Sequence, residues 1–213
     1  FAAQTYSDVT AGFINDNTKL LSRSEKALVT EKDVLKGQRR KLTLCMRLLP
    51  TGTAMEKNTW FHLSNNMAMS MTYSLRRINE VCKEHVENNF RPLPMQFHDK
   101  FMRLCEKINQ TILDSEKAIE VYDPETIDSL RTRCDKVKDE LTYSTREVYD
   151  LLQKGDASDL TVAYVYLNVL QESQEFITSL RKLLRAVGKL NLAPSSYRSF
   201  SHHETREIDK TRD

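Results

Sequence analysis

Cys82 and His85 stand three residues apart. On a helix that spacing puts a thiolate and an imidazole on one face, which is half of a tetrahedral zinc site. The other half has no evident partner. Cys45, Cys105 and Cys134 are scattered, and none forms a Cys-x-x-Cys pair. Four dispersed thiols of this kind read as small buried hydrophobes in a reducing compartment. His202 and His203 are adjacent, and consecutive helical residues do not face one site. A bundle di-metal site needs Glu followed three residues later by His on two core helices, and no Glu here has that His. A Gly-rich phosphate loop, a nucleophile elbow and an H-E-x-x-H pair are also absent. The chain reads as non-catalytic.

The composition narrows the setting. The 213 residues are 39% hydrophobic and 29% charged, with a net charge of +2. So balanced a charge argues against a broad grip on nucleic acid or anionic lipid, while leaving room for a local patch. Two basic clusters, Arg39-Arg40-Lys41 and Arg76-Arg77, read as solvated helix faces. The aromatic residues fall on apolar stripes, which is no platform for stacking bases. The most apolar run, Leu160 to Leu170, contains Thr161 and Asn168, far short of the ~18 apolar residues of a membrane span. Only five glycines and five prolines occur, so few, long elements are expected.

Apolar periodicity predicts an all-α chain of six helices. The first is expected over Tyr6 to Leu28. Thr30 with Asp33 has the form of a capping box that would open the second, carrying Val34, Leu35, Leu42, Cys45 and Leu49 until Pro50, Thr51 and Gly52 stop it. The third shows the stripe Trp60, Leu63, Met67, Met71, Leu75, Ile78, Cys82 and His85, ending near Pro92 and Pro94. The fourth carries Phe97, Phe101, Leu104, Ile108, Ile112, Ser115, Ile119 and Tyr122. Asp123-Pro124-Glu125 opens the fifth, which shows heptad rows Ile127, Cys134, Leu141, Val148 and Leu130, Val137, Ser144, Leu151 until Gly155 closes it. The sixth begins near Ser158, with rows Ala163, Leu170, Ile177, Leu184 and Tyr166, Ser173, Leu180, Val187. Beyond Leu192 the polar tail 193–213 has too little apolar surface to offset its ordering entropy.

A shift of 95 residues superposes the third helix on the sixth, pairing Ala68 with Ala163, Met71 with Tyr166, Leu75 with Leu170 and Glu80 with Glu175. It also sets Thr30 against Glu125. The expected organisation is two tandem three-helix bundles, 1–91 and 92–192, packed side by side.

Leu75-Arg76-Arg77-Ile78-Asn79-Glu80 and Leu170-Gln171-Glu172-Ser173-Gln174-Glu175 resemble the Leu-Glu-Arg-Ile-Gly-Asp-like motif on the third helix of each repeat in the PhoU family of phosphate-regulatory proteins. The hydrophobic frame and the last acid match, with Glu in place of Asp, while the first acid is replaced by Arg76 and Gln171. The stretch from Tyr164 to Glu175, with Leu180 to Ala186 after it, is similar to the soluble PhoU-like region at the C-terminus of bacterial sodium/phosphate cotransporter-family proteins. Starting at Phe1 fits a fragment of such a polypeptide.

The resemblance implies a regulatory domain of phosphate transport on the cytoplasmic face of the plasma membrane. Its partner would be the membrane-embedded part of the same polypeptide, and a homodimer is compatible with it. The family's acids hold iron or another divalent metal, and here they correspond to Glu80 and Glu175. Without their i−4 partners these two are a degraded metal motif, and no resident cofactor is expected. Glu84, four after Glu80, would restore a pair, but on a charged helix it reads as surface. The alternative is a generic helical adaptor or dimerisation module unrelated to phosphate.

Overall fold

The computed structural model describes residues 1–153 and 160–191. It contains six helices: α1 Ala2–Ile14, α2 Thr18–Arg47, α3 Thr51–Glu87, α4 Met95–Val121, α5 Pro124–Leu152 and α6 Leu160–Asn191. No strand occurs among the described residues. α1, α2 and α3 pack on one another, as do α4, α5 and α6, and the two bundles meet where α3 runs against α6 and α1 against α4. One continuous apolar cluster includes residues of all six helices. Gly155, Ser158, His202, His203 and the tail 193–213 lie outside the described residues.

The first helix does not run from Tyr6 to Leu28. α1 ends at Ile14 and α2 starts at Thr18. The break is made by Asn15-Asp16-Asn17. Asp16 takes a left-handed φ of 48°, the Asn17 amide donates to Gly12 O at 2.8 Å, and the Asn17 side chain accepts from Leu20 N. These contacts satisfy groups that the ends of two helices would otherwise leave open. Thr30 is therefore no cap. It sits inside α2, and its hydroxyl donates to Lys26 O, while Asp33 pairs with Lys36. Apolar spacing passes over the break because Phe13 and Leu21 are both buried on either side of it. Similarly, Thr51 and Gly52 do not stop α2 but open α3.

The α4–α5 corner repeats this geometry. Tyr122 has φ 49°, the Asp123 amide donates to Ala118 O, and the Asp123 carboxylate accepts from Glu125 N and caps α5. Asp16 matches Tyr122, Asn17 matches Asp123 and Gly12 matches Ala118, each 106 residues apart. The core rows agree, with Leu21, Ser24 and Leu28 matching Ile127, Leu130 and Cys134, all buried. The shift of 95 thus relates α3 to α6 but not α2 to α5. Thr30 does not correspond to Glu125. The difference, 106 minus 95, makes the first bundle 11 residues longer between its corner and its α3 motif. The expected division at 91/92 falls in the 88–94 connection between α3 and α4.

The sequence stripes of α5 and α6 are the core. Ile127, Cys134, Leu141 and Val148 are buried, as are Leu130, Val137 and Ser144. On α6, Ala163, Tyr166, Leu170, Ser173, Ile177, Leu180 and Leu184 are buried. Tyr6 lies at the centre: its hydroxyl shares a 3.1 Å hydrogen bond with Ser173 Oγ and reaches Cys105 Sγ at 3.9 Å. Burial raises its pKa well above the ordinary phenol value. The outer half of α2 behaves differently. Val34, Leu42 and Leu49, expected on a core stripe, are exposed, and Cys45 is exposed rather than buried.

Candidate functional site

The Arg76–Glu80 stretch of α3 and the Gln171–Glu175 stretch of α6 come together along the seam between the bundles. Arg77 Nε donates to Glu172 Oε1 at 2.6 Å, and its Nη2 reaches Ser74 Oγ at 3.3 Å. Arg77 and Glu172 are 95 residues apart, so each is the other's equivalent in the repeat. A residue touches its own equivalent only beside the axis that relates two copies, so this ion pair marks the pseudo-two-fold axis of the molecule. The helices place it there through their buried faces, with Leu75 and Ile78 on α3 and Leu170 and Ser173 on α6 facing the core.

The electrostatics of the seam are organised around Arg77. Its pKa is raised by the hydrogen bond to Glu172 and further by the charges of Glu175 and Glu80. The two acids singled out by the motif, one from each bundle, are thus both within electrostatic reach of one guanidinium. Glu80 also accepts from Arg76 Nε at 2.7 Å, and this raises the Arg76 pKa. Glu175 and Glu84 are exposed.

A hard metal needs several oxygen ligands converging on one point. Here the positive charge among Glu80, Glu172 and Glu175 is already supplied by Arg77, and Glu80 is engaged by Arg76. Among the described residues, no three His, Cys, Asp or Glu side chains come close enough together to hold a metal ion. In this arrangement the nearest charge partners of Glu80 and Glu172 are arginines. Cys82 and His85 are both buried, and among the described residues no third ligand joins them. His85 packs between Phe13 and Phe90, with ring centroids at 5.3 and 5.6 Å, and neither ring nitrogen meets a hydrogen-bond partner. Burial lowers its pKa.

Two clefts lie away from the seam ion pair. An open groove of about 1110 Å³ runs between α4 and α5, and two ion pairs cross it, Lys100–Glu147 and Lys107–Glu140. A second cavity of about 490 Å³ lies between the bundles, lined by Leu35, Met71, Thr72, Ile112, Ser115 and Leu180 among others. The Thr72 and Ser115 hydroxyls donate to carbonyls of their own helices.

The Arg76-Arg77 cluster, expected as a solvated helix face, instead sends Arg77 into an ion pair with Glu172 across the seam. The repeat contained the signal, because a shift of 95 sets opposite charges against each other at these two positions.

No protein-family model matches the sequence, and no curated protein sequence matches it significantly. Among solved structures, the fold is similar to the crystal structure of the phosphate transport system regulatory protein PhoU from Streptococcus pneumoniae. The TM-score is 0.59 at 11% sequence identity, over 89% of this chain and 87% of that one. At such identity the likeness establishes a PhoU-like helical fold.

Proposed function

We propose that this chain is a non-catalytic, PhoU-like regulatory domain of phosphate transport that works through protein contacts rather than through a resident metal cluster. The observation that carries this reading is the backbone likeness to a phosphate transport regulator over nearly the full length of both chains. The seam supports the second half of it. Arg76 stands where the family motif has an acid, and Arg77 supplies at the pseudo-two-fold axis the positive charge that a cation would otherwise bring. Glu80 and Glu175 then act as partners of arginine, not as metal ligands.

In this reading the domain belongs to a sodium/phosphate cotransporter-type polypeptide and sits at the inner face of the plasma membrane against its membrane-embedded part. No helix among the described residues is long and apolar enough to cross a membrane, so the spanning part would lie elsewhere in that polypeptide. The test is phosphate uptake by cells carrying the whole polypeptide with and without this domain. Altered uptake, or lost response to external phosphate, is expected; unchanged uptake and regulation would leave the adaptor or dimerisation reading. Titration with iron, zinc and manganese tests the metal half separately. Tight stoichiometric binding that disappears in Glu80→Ala or Glu175→Ala would overturn it.

A further inference from the structure

Between its corner and its α3 motif the first bundle is 11 residues longer than the second, and its α3 starts at Thr51. Near the beginning of α3, Arg185 stands over the Trp60 ring and Lys57 Nζ donates to Leu190 O at 2.5 Å. The end of α2 and the start of α3 are joined by the short connection 48–50.

That tip has an unusual surface. Between Val34 and Met55 the chain carries five cations, Lys36, Arg39, Arg40, Lys41 and Arg47, and no acid. Steps of four and seven put Lys36, Arg40 and Arg47 on one helix face. Lys36 pairs with Asp33, but no carboxylate among the described residues pairs with the other four. Next to them stand large apolar side chains in solvent: Leu48 is 86% exposed, Met55 75%, Leu44 59% and Leu42 46%. The corresponding end of α5 carries the acids Glu140, Glu147 and Asp150 with a single cation, Arg146, so the acid-free basic cluster belongs to one hairpin and not to the repeat.

Cations alone would suit any polyanion, and leucines alone any apolar groove. Their combination at a protruding end fits an interface where anionic headgroups lie directly above hydrocarbon. We infer that the α2–α3 tip docks onto an anionic phospholipid surface, with Arg39, Arg40, Lys41 and Arg47 at the headgroups and Leu44, Leu48 and Met55 entering the acyl boundary. This does not depend on the phosphate reading, since a lipid-facing tip would serve any domain that works beside a membrane.

The test is sedimentation of the full chain with phosphatidylcholine vesicles, with and without phosphatidylglycerol. Binding is expected only when phosphatidylglycerol is present. It should weaken as salt rises from about 0.1 M to about 1 M and the screening length falls from ~10 Å to ~3 Å. The triple variant Arg39→Gln/Arg40→Gln/Lys41→Gln should bind on the order of a hundredfold more weakly. A control triple on exposed α4 and α5 positions, Lys117→Gln/Lys136→Gln/Arg146→Gln, should leave binding unchanged. Leu48→Ser/Met55→Ser should also weaken vesicle binding while leaving binding to polyglutamate intact. Circular dichroism checks that each variant is folded. Absence of binding to phosphatidylglycerol vesicles overturns the inference, as does equal loss in the control triple. Vesicle binding insensitive to Leu48→Ser/Met55→Ser also overturns it, and would point to an acidic protein partner instead.

Discussion

Arg77 and Glu172 are the same position in two copies of one helix, and they face each other as an ion pair of 2.6 Å across the axis between the copies. Half of the Arg77 side chain is exposed, while Glu172 is only 18% exposed, and Glu172 Oε2 is buried with no hydrogen-bond partner. In a homodimer this position would confront like with like. Fusion into one chain allows opposite charges, so the pair also excludes an arrangement in which the two copies are interchanged.

Replacing Arg77 with Met should therefore destabilise the chain by roughly 1 kcal/mol, and Glu172→Gln by a similar amount, with a coupling of about 0.5–1 kcal/mol between them. The exchanged pair Arg77→Glu/Glu172→Arg should recover most of the loss. Urea unfolding of the four variants checks this, and strict additivity would show that the pair contributes nothing.

Two glycines should respond to alanine with opposite signs. A Cβ at Gly12 would lie 2.8 Å from Leu21 Cγ at the tight corner of α1 and α2, whereas one at Gly37 would meet nothing. Gly12→Ala should cost about 1–3 kcal/mol through overpacking. Gly37→Ala, within the helix α2, should add about 0.5–1 kcal/mol. Thermal melts of both variants separate the two cases.

Folding stability should fall on mild acidification because of His85. Burial between Phe13 and Phe90 lowers its pKa, opposed first by the Arg91 backbone and then by the Asp16 charge. Below the ordinary histidine pKa of about 6.5 the unfolded chain takes up a proton that the folded chain refuses, so stability drops as pH falls through that value. Above it His85 contributes no pH dependence. The loss is at most about 1.4 kcal/mol per pH unit. His85→Phe should flatten the profile, as read from urea midpoints at a series of pH values, and an unchanged slope would remove His85 from the account.

One thiol of the four should react with a maleimide in the folded protein. Cys45 is exposed in the outer half of α2, and Cys82, Cys105 and Cys134 are buried. Burial raises all three buried thiols, Cys105 to about 12 and Cys134 to about 11. The thiolate is the nucleophile, so mass spectrometry should find a single adduct, lost in Cys45→Ser. A second adduct at equal rate would mean that the core opens.

The amino-acid sequence by itself determined the class and the inner helices. Few glycines and prolines, the Asp123-Pro124-Glu125 start and the rows of α5 and α6 are local signals, since caps act within a turn and stripes follow the helical period. The structure buries those rows from Ile127 to Val148 and from Ala163 to Leu184, with Val187 half-buried. Local signals also misled where the stripe ran on through Asn15-Asp16-Asn17, because the core receives Phe13 and Leu21 from two different helices. Tertiary structure alone decided what each stripe meets. Ile127, Cys134 and Val148 find α6, while Leu42 and Leu48, no less apolar, lie toward the tip of a longer hairpin and stay in water. It also decided that Glu80 and Glu175 share their seam with Arg77. Burial and ion pairing depend on which helix lies opposite, and that is set by the packing of the whole chain rather than by any one segment.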